Sequence, residues 1–439
     1  MTESTYAVIG AGPSGLAAAR NLDRRGLPWV GYELSTGVGG LWDIDAPRST
    51  VYESAHLISS RTTTEFTEFP MPAGTPDYPS HRDLAAYFGA FADEFDLTSR
   101  FRFSTEVLDV RRDGAAWAVT VRDGEGTRTE LHAGVLVANG TLSEPNVPTF
   151  TGQETFTGAV IHTSAYKRGS QLAGQRVLII GAGNSGCDIA VDAVHHAAAV
   201  DLSVRRGYHF VPKYVLGKPA DTLNQGKPLP PRIKQFIDTR VLKLFTGDPV
   251  RFGFPAPDHA IYESHPIVNS LVLHHLGHGD LAVRPDIDRF DGDDVVFADG
   301  TRTAYDLVVL ATGYRLHYPF VEDALLGWTG AGSGTSPDLY LNVFARGEQA
   351  RGLFVLGMVE ASGIGWQGRY EQAELVAGYL AALAAGDDVT AFEHRIDESH
   401  PDLSGGYKYL GLERMSYYVN KDAYRGAVRR EAEELGDAS

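Results

Sequence analysis

One pattern occurs twice in this chain, as AVIGAGPSGLAA over residues 7–18 and as VLIIGAGNSGCDIA over 177–190. Each copy reads as an apolar strand, a turn carrying three glycines and the opening of a helix. The first glycine permits a tight turn, the second lets backbone approach a pyrophosphate, and the third lets the helix pack closely on the strand. The unpaired N–H groups of the helix N-terminus then face the phosphate charge. A lone GxGxxG is a weak signal, whereas strand, turn, helix and second strand in that order is a specific one. Two copies, 170 residues apart, call for an α/β chain with two dinucleotide sites.

The copies end differently. In the first, Gly10, Gly12, Pro13, Ser14 and Gly15 form the turn, a helical pattern from Leu16 stops at Gly26, and a second strand closes on Glu33. A carboxylate about twenty residues past the glycines is placed to accept a ribose hydroxyl. Gly40, Leu41 and Trp42, in GVGGLW, suit a backbone that passes close to a flat, bulky cofactor. In the second copy, Gly181, Gly183, Asn184, Ser185 and Gly186 form the turn, and the next strand runs into Arg205-Arg206. A guanidinium there accommodates the 2′-phosphate of NADP, where a carboxylate would favour NAD. Asp201 stands too early in its strand to be the ribose acid. An acid-ended site suits FAD and an arginine-ended site suits NADPH, so a hydride is expected to pass between two bound dinucleotides.

At 439 residues the chain is too long for one ordinary core. Residues 135–150, VLVANGTLSEPNVPTF, read as a buried strand ending in Asn-Gly and then a proline-punctuated crossing. The expected organisation is a first FAD-binding part at 1–150, an NADPH-binding domain at 151–305 and a second FAD-binding part at 306–439. The fold class is therefore two Rossmann-like domains, the NADPH domain inserted into the FAD domain. A hairpin turning at Asp299-Gly300 precedes an apolar strand, Leu307 to Ala311, which ends on Thr312-Gly313-Tyr314. That strand is expected to return the chain to the FAD sheet and to bring Thr312 and Gly313 to a cofactor. An amphipathic helix from Glu371 to Ala385 is expected over the flavin. The proline-rich, aromatic stretch 208–276 shows no period and is either a lining between domains or a surface excursion.

Composition removes several classes. A net charge of −17 repels nucleic acid. The single cysteine, Cys187, excludes an internal disulfide, a CxxC pair and a flavin disulfide reductase, and no metal site is expected. No stretch approaches the roughly 18 apolar residues of a membrane span, and the chain enters a strand almost at once. A cytoplasmic protein without a membrane partner is expected, with an acidic, solvated C-terminus.

The stretch FTGAVIHTSAY, carrying Phe156, Gly158, His162 and Tyr166, resembles FxGxxxHxxxY, the identifying pattern of the flavin-containing monooxygenases. Tyrosine stands where type I Baeyer–Villiger relatives carry tryptophan. VLATGY (309–314), GGLW (39–42), EFPMP (68–72) and SHPIVN (264–269) are similar to further family segments, and the set spans nearly the whole chain. The resemblance implies that NADPH reduces FAD, dioxygen adds at flavin C4a to form a hydroperoxide, and NADP⁺ stays bound. One oxygen then passes to a nitrogen or sulfur centre of a small molecule. Baeyer–Villiger oxygenation or oxidative decarboxylation of a keto acid, and an NADPH oxidase, stand as alternatives. The absence of an acid–base dyad or triad fits chemistry carried by a cofactor. No catalytic residue is assigned; Ile58, Ser59 and Asn269 are the candidates beside the flavin, and His162 is read as a hinge support. The family pattern after its Tyr-x-Ser reads x-x-Thr-Asn, which places Leu57-Ile58 of this chain at the Thr-Asn positions, and isoleucine donates no hydrogen bond. The partners implied are a small-molecule substrate and dioxygen, with a homodimer left open.

Overall fold

A computed structural model describes residues 5–224, 228–328 and 336–437. Each glycine turn lies on its own sheet, the first mixed with two antiparallel pairings at one edge and the second wholly parallel. The first sheet runs in the order Leu339–Tyr340, Phe344–Ala345, Leu353–Val355, Gly134–Val137, Tyr6–Ile9, Trp29–Tyr32, Phe101–Arg102. Tyr6–Ile9 pairs in parallel with both neighbours, which sets Ile9 opposite Tyr32 and Val137. Its central strands are buried along their whole length, as expected of a parallel sheet covered on both faces, and this is why they read as unbroken apolar runs.

The second sheet has the order Ala282–Arg284, Ala199–Ser203, Arg176–Ile180, Leu307–Leu310, Ala159–His162, with every pairing parallel. Leu307–Leu310 therefore belongs to this sheet, not to the first as the sequence reading has it. An apolar strand carries no mark of its sheet, but its end does. The carbonyl of Ala311 lies where a side chain on Gly181 would stand, just as that of Ala138 lies against Gly10. The return to the first sheet is made later, by the strands between Leu339 and Val355. First-sheet strands thus still flank the second sheet on both sides along the chain. The hairpin at Asp299-Gly300 is present, joining Asp294–Phe297 to Arg302–Ala304.

Three other expectations change. The helix placed at Glu371 starts six residues earlier, spans Gly365–Ala385, and is buried on most sides by Pro13–Arg24 and Lys421–Asp437. The acidic C-terminal segment is not solvated throughout: within Lys421–Asp437, Tyr424, Val428, Glu431 and Leu435 are buried. Glu431 is satisfied there by the Arg395 guanidinium at 2.7 Å and the Tyr340 hydroxyl at 2.7 Å. The stretch 208–276 contains a 16-residue helix, Pro231–Thr246, which Pro231 opens at the position where a missing N–H costs nothing.

Candidate active site

The two glycine turns are copies in geometry. Gly10 and Gly181 have φ of +103° and +105°, a region that favours glycine. A Cβ on Gly15 would stand 1.8 Å from the Gly10 carbonyl oxygen, and one on Gly186 would stand 2.0 Å from that of Gly181. Those four glycines serve the fold. Gly12 and Gly183 differ: both are helix N-caps in ordinary extended backbone. A Cβ on Gly12 would meet only Gly40, at 3.5 Å, and one on Gly183 would meet nothing within 4 Å. Their bareness answers to nothing in the protein, which is what a cradle for an external group requires.

A cavity of about 660 Å³ opens over the first turn, within the roughly 300–1,000 Å³ of cofactor and ligand pockets. Gly10, Gly12, Pro13, Ser14 and Glu33 line one part of it; Gly40, Leu41 and Trp42 line the next. Glu33 is held over the turn, where its carboxylate accepts from the Ala11 N–H at 2.6 Å and the Ser35 N–H at 2.8 Å. Gly15 lies behind the turn and not in the cavity wall, in keeping with its packing role. The residues present fit a flavin dinucleotide: an open glycine cradle at a helix N-terminus, an acid beyond it, and an apolar chamber walled by Trp42 and Trp366, whose rings meet edge to face at 6.0 Å.

Ile58 and Ser59 line the same cavity. The hydroxyls around Ile58 are already committed. Thr64 donates to the Ser60 carbonyl at 2.8 Å, so Ser59, 2.7 Å from Thr64, donates to it. Thr63 donates to the Asp221 carboxylate at 2.5 Å. The single protons of the Ser59, Thr63 and Thr64 hydroxyls are therefore all engaged. Asn269 does not line the cavity. Its amide donates to Asp188 at 2.6 Å, and its carbonyl oxygen accepts from the Val272 N–H at 3.0 Å, capping Leu271–His278.

The second turn lies outside that cavity, as do Arg205, Arg206, Thr312 and Gly313. Asn184 spends its side chain on the SHPIVN segment, accepting from the Val268 N–H at 2.7 Å and donating to the Pro266 carbonyl at 3.3 Å. Ser185, half-buried, stands in the first turn of Asn184–Val194. Arg205 is exposed just past Ala199–Ser203, while Arg206 is half-buried, 4.0 Å from Asp258. Asp201 takes the Arg284 guanidinium at 2.8 Å and the Tyr305 hydroxyl at 2.5 Å, which removes it from any ribose role.

Thr312 and Gly313 tie the second sheet to the crossing segment. The Thr312 hydroxyl donates to the Asn146 carbonyl at 2.5 Å, and the Asn146 N–H donates to Gly313 at 2.9 Å. His162 joins them. Its Nδ1 accepts from the Ser164 N–H at 3.1 Å, so Nε2 carries the proton and donates to the Gly313 carbonyl at 3.0 Å. Burial lowers the His162 pKa and keeps the ring neutral, and both nitrogens are used in positioning. Burial likewise lowers His209 and His265. Below about pH 6.5 the unfolded chain binds protons that these folded histidines refuse, so the fold loses stability as pH falls through that range. A smaller loss in His162→Gln than in the parent, read from urea midpoints at about pH 7 and pH 5.5, is the expected result. An identical loss would remove His162 from the account.

Sequence reading missed Asn139, which lines the cavity and donates to the His317 carbonyl at 2.9 Å, and also Asp221 and Trp366. For Asn139 a signal existed: ANG at 138–140 follows the fourth strand of its sheet counted along the chain from the glycine-turn strand, as ATG at 311–313 does in the other.

Comparison with known proteins gives the family. Residues 3–385 match the flavin-binding monooxygenase-like family. Flavin-containing monooxygenase 5 of Mus musculus is 31% identical over 386 residues, covering 83% of this chain and 70% of the mouse protein. Indole-3-pyruvate monooxygenase YUCCA1 of Oryza sativa subsp. japonica is 31% identical over 326 residues, covering 72% of this chain and 78% of the rice protein. In fold, the chain is similar to an oxidized steroid monooxygenase bound to NADP, with a TM-score of 0.72, 20% identity and coverage of 100% and 99% of the two chains. The chain belongs to the flavin-binding monooxygenase-like family and is an oxidoreductase whose standard cofactors are FAD and NADPH.

Proposed function

We propose that the chain transfers one oxygen atom of dioxygen to a nitrogen or sulfur centre of a small molecule, with FAD in the 660 Å³ cavity and NADPH on the second glycine turn. The observation that carries this reading is that Gly12 and Glu33 line the same cavity as Ile58 and Trp366. Bound there, the flavin supplies electron transfer and oxygen activation. Gly12, Pro13 and Ser14 hold the pyrophosphate, Glu33 the ribose, and Gly40, Leu41 and Trp42 pack along the ring. The helix N-terminus at Gly183 receives the second pyrophosphate and Arg205 the 2′-phosphate. The apolar walls around Leu57, Ile58 and Trp366 exclude water from the reacting end. A second reading, oxygenation at a carbonyl or of a keto acid, is favoured by the rice relative, which is named for indole-3-pyruvate. Turnover with a sulfide, an amine, a ketone and a 2-keto acid separates the two. Product only from the carbonyl compounds contradicts the first.

Ile58 sets the coupling. With the Ser59, Thr63 and Thr64 hydroxyl protons already engaged, NADPH electrons are expected to leak to hydrogen peroxide when substrate is absent. One hydrogen bond at a desolvated site is worth about 1–3 kcal/mol, or roughly five- to 150-fold in rate. Ile58→Asn is expected to lower peroxide release per NADPH by an amount in that range. Unchanged release would mean that backbone donors and bound NADP⁺ suffice.

A further inference from the structure

The helix Pro231–Thr246 is built inside out. None of its residues is buried. All its large apolar side chains but the half-buried Leu242 face solvent: Ile233 is 51% exposed, Phe236 59% and Leu244 82%. Its polar side faces the protein, where Gln235 donates to the Ile261 carbonyl at 3.0 Å and Asp238 accepts from the Tyr262 hydroxyl at 2.6 Å. A surface helix of a globular protein is arranged the other way round.

We infer that this helix is a membrane-surface element whose apolar face lies on an anionic lipid bilayer. At 3.6 residues per turn, Arg232, Arg240 and Lys243 line one edge of the exposed stripe, while the helix's one acid, Asp238, is turned to the protein. Among the described residues of 214–250, five lysines and arginines stand against three aspartates, a local charge of +2 in a chain of −17. An apolar stripe edged by cations is the form that inserts shallowly among anionic headgroups. A second copy of the chain fits less well. Antiparallel pairing of two such faces would set Arg232 against Arg240 and Lys243 of the other copy, with no acid on either face to meet them. The helix lies on the bilayer and does not cross it; among the described residues no helix is long and apolar enough to cross a membrane. The inference does not depend on which substrate the enzyme takes.

The test is flotation of the flavin-loaded full-length protein with vesicles of phosphatidylcholine, alone or mixed with phosphatidylserine. Flotation is expected with the mixed vesicles and is expected to weaken with salt. Phe236→Ser with Leu244→Ser is expected to abolish it while leaving the thermal midpoint and NADPH oxidation unchanged. Each cation near an anionic leaflet is worth about fivefold in partitioning, so Arg240→Gln with Lys243→Gln is expected to cost roughly thirtyfold. No flotation with the mixed vesicles, or flotation untouched by both double variants, overturns the inference. So does a two-copy mass in light scattering that falls to one copy in the Phe236→Ser, Leu244→Ser variant, which assigns the face to self-association.

Discussion

Gly12→Ala is expected to fold normally and to purify with little or no flavin, whereas Gly15→Ala is expected not to fold. The two glycines stand three residues apart in one turn, and the difference lies in what a methyl group would meet. At Gly15 it would lie 1.8 Å from the Gly10 carbonyl oxygen, inside the strand–helix contact. At Gly12 the backbone is ordinary and the nearest atom is 3.5 Å away, so the methyl projects into the cavity over the helix N-terminus. Overpacking a fitted contact costs about 1–3 kcal/mol, which is roughly five- to 150-fold in cofactor affinity. Flavin absorbance per protein, with circular dichroism to verify the fold, reads both variants. A Gly12→Ala protein with full flavin would remove the pyrophosphate from this turn.

Arg205→Ala is expected to raise the KM for NADPH by roughly ten- to a hundredfold while leaving NADH turnover nearly unchanged. A charge-assisted hydrogen bond to phosphate contributes on the order of 1.5–3 kcal/mol, and only NADPH carries the 2′-phosphate. Arg205 is exposed just past the strand that follows the second turn, so its removal leaves no buried partner behind. Arg206, drawn toward Asp258, is expected to have the smaller effect. Equal losses with the two coenzymes would indicate a folding defect, and a loss confined to Arg206→Ala would transfer the role to that residue.

Both glycine units were legible in the sequence because each depends on local chemistry. The positive φ at Gly10 and Gly181, the close approach at Gly15 and Gly186, and the acid or arginine at the strand end all fall within about thirty residues. What was not legible depends on long-range contacts. Leu307–Leu310 could join either sheet on composition, and only its packing against Gly181 decides. Asn269 sits in a family-like segment, yet its side chain is consumed by Asp188 and the cap of Leu271–His278. The helix Pro231–Thr246 escaped notice because its apolar residues face away from the core, so its period does not mark a buried side.

The most direct test of the account is turnover of a sulfide or tertiary amine with NADPH under isotopically heavy dioxygen. One heavy oxygen atom in the product for each NADPH consumed is the predicted result, with incorporation lost in Gly12→Ala and restored in proportion to any flavin retained. NADPH consumption matched entirely by hydrogen peroxide, with no heavy oxygen in any nitrogen, sulfur or carbonyl product, would contradict it and leave an oxidase.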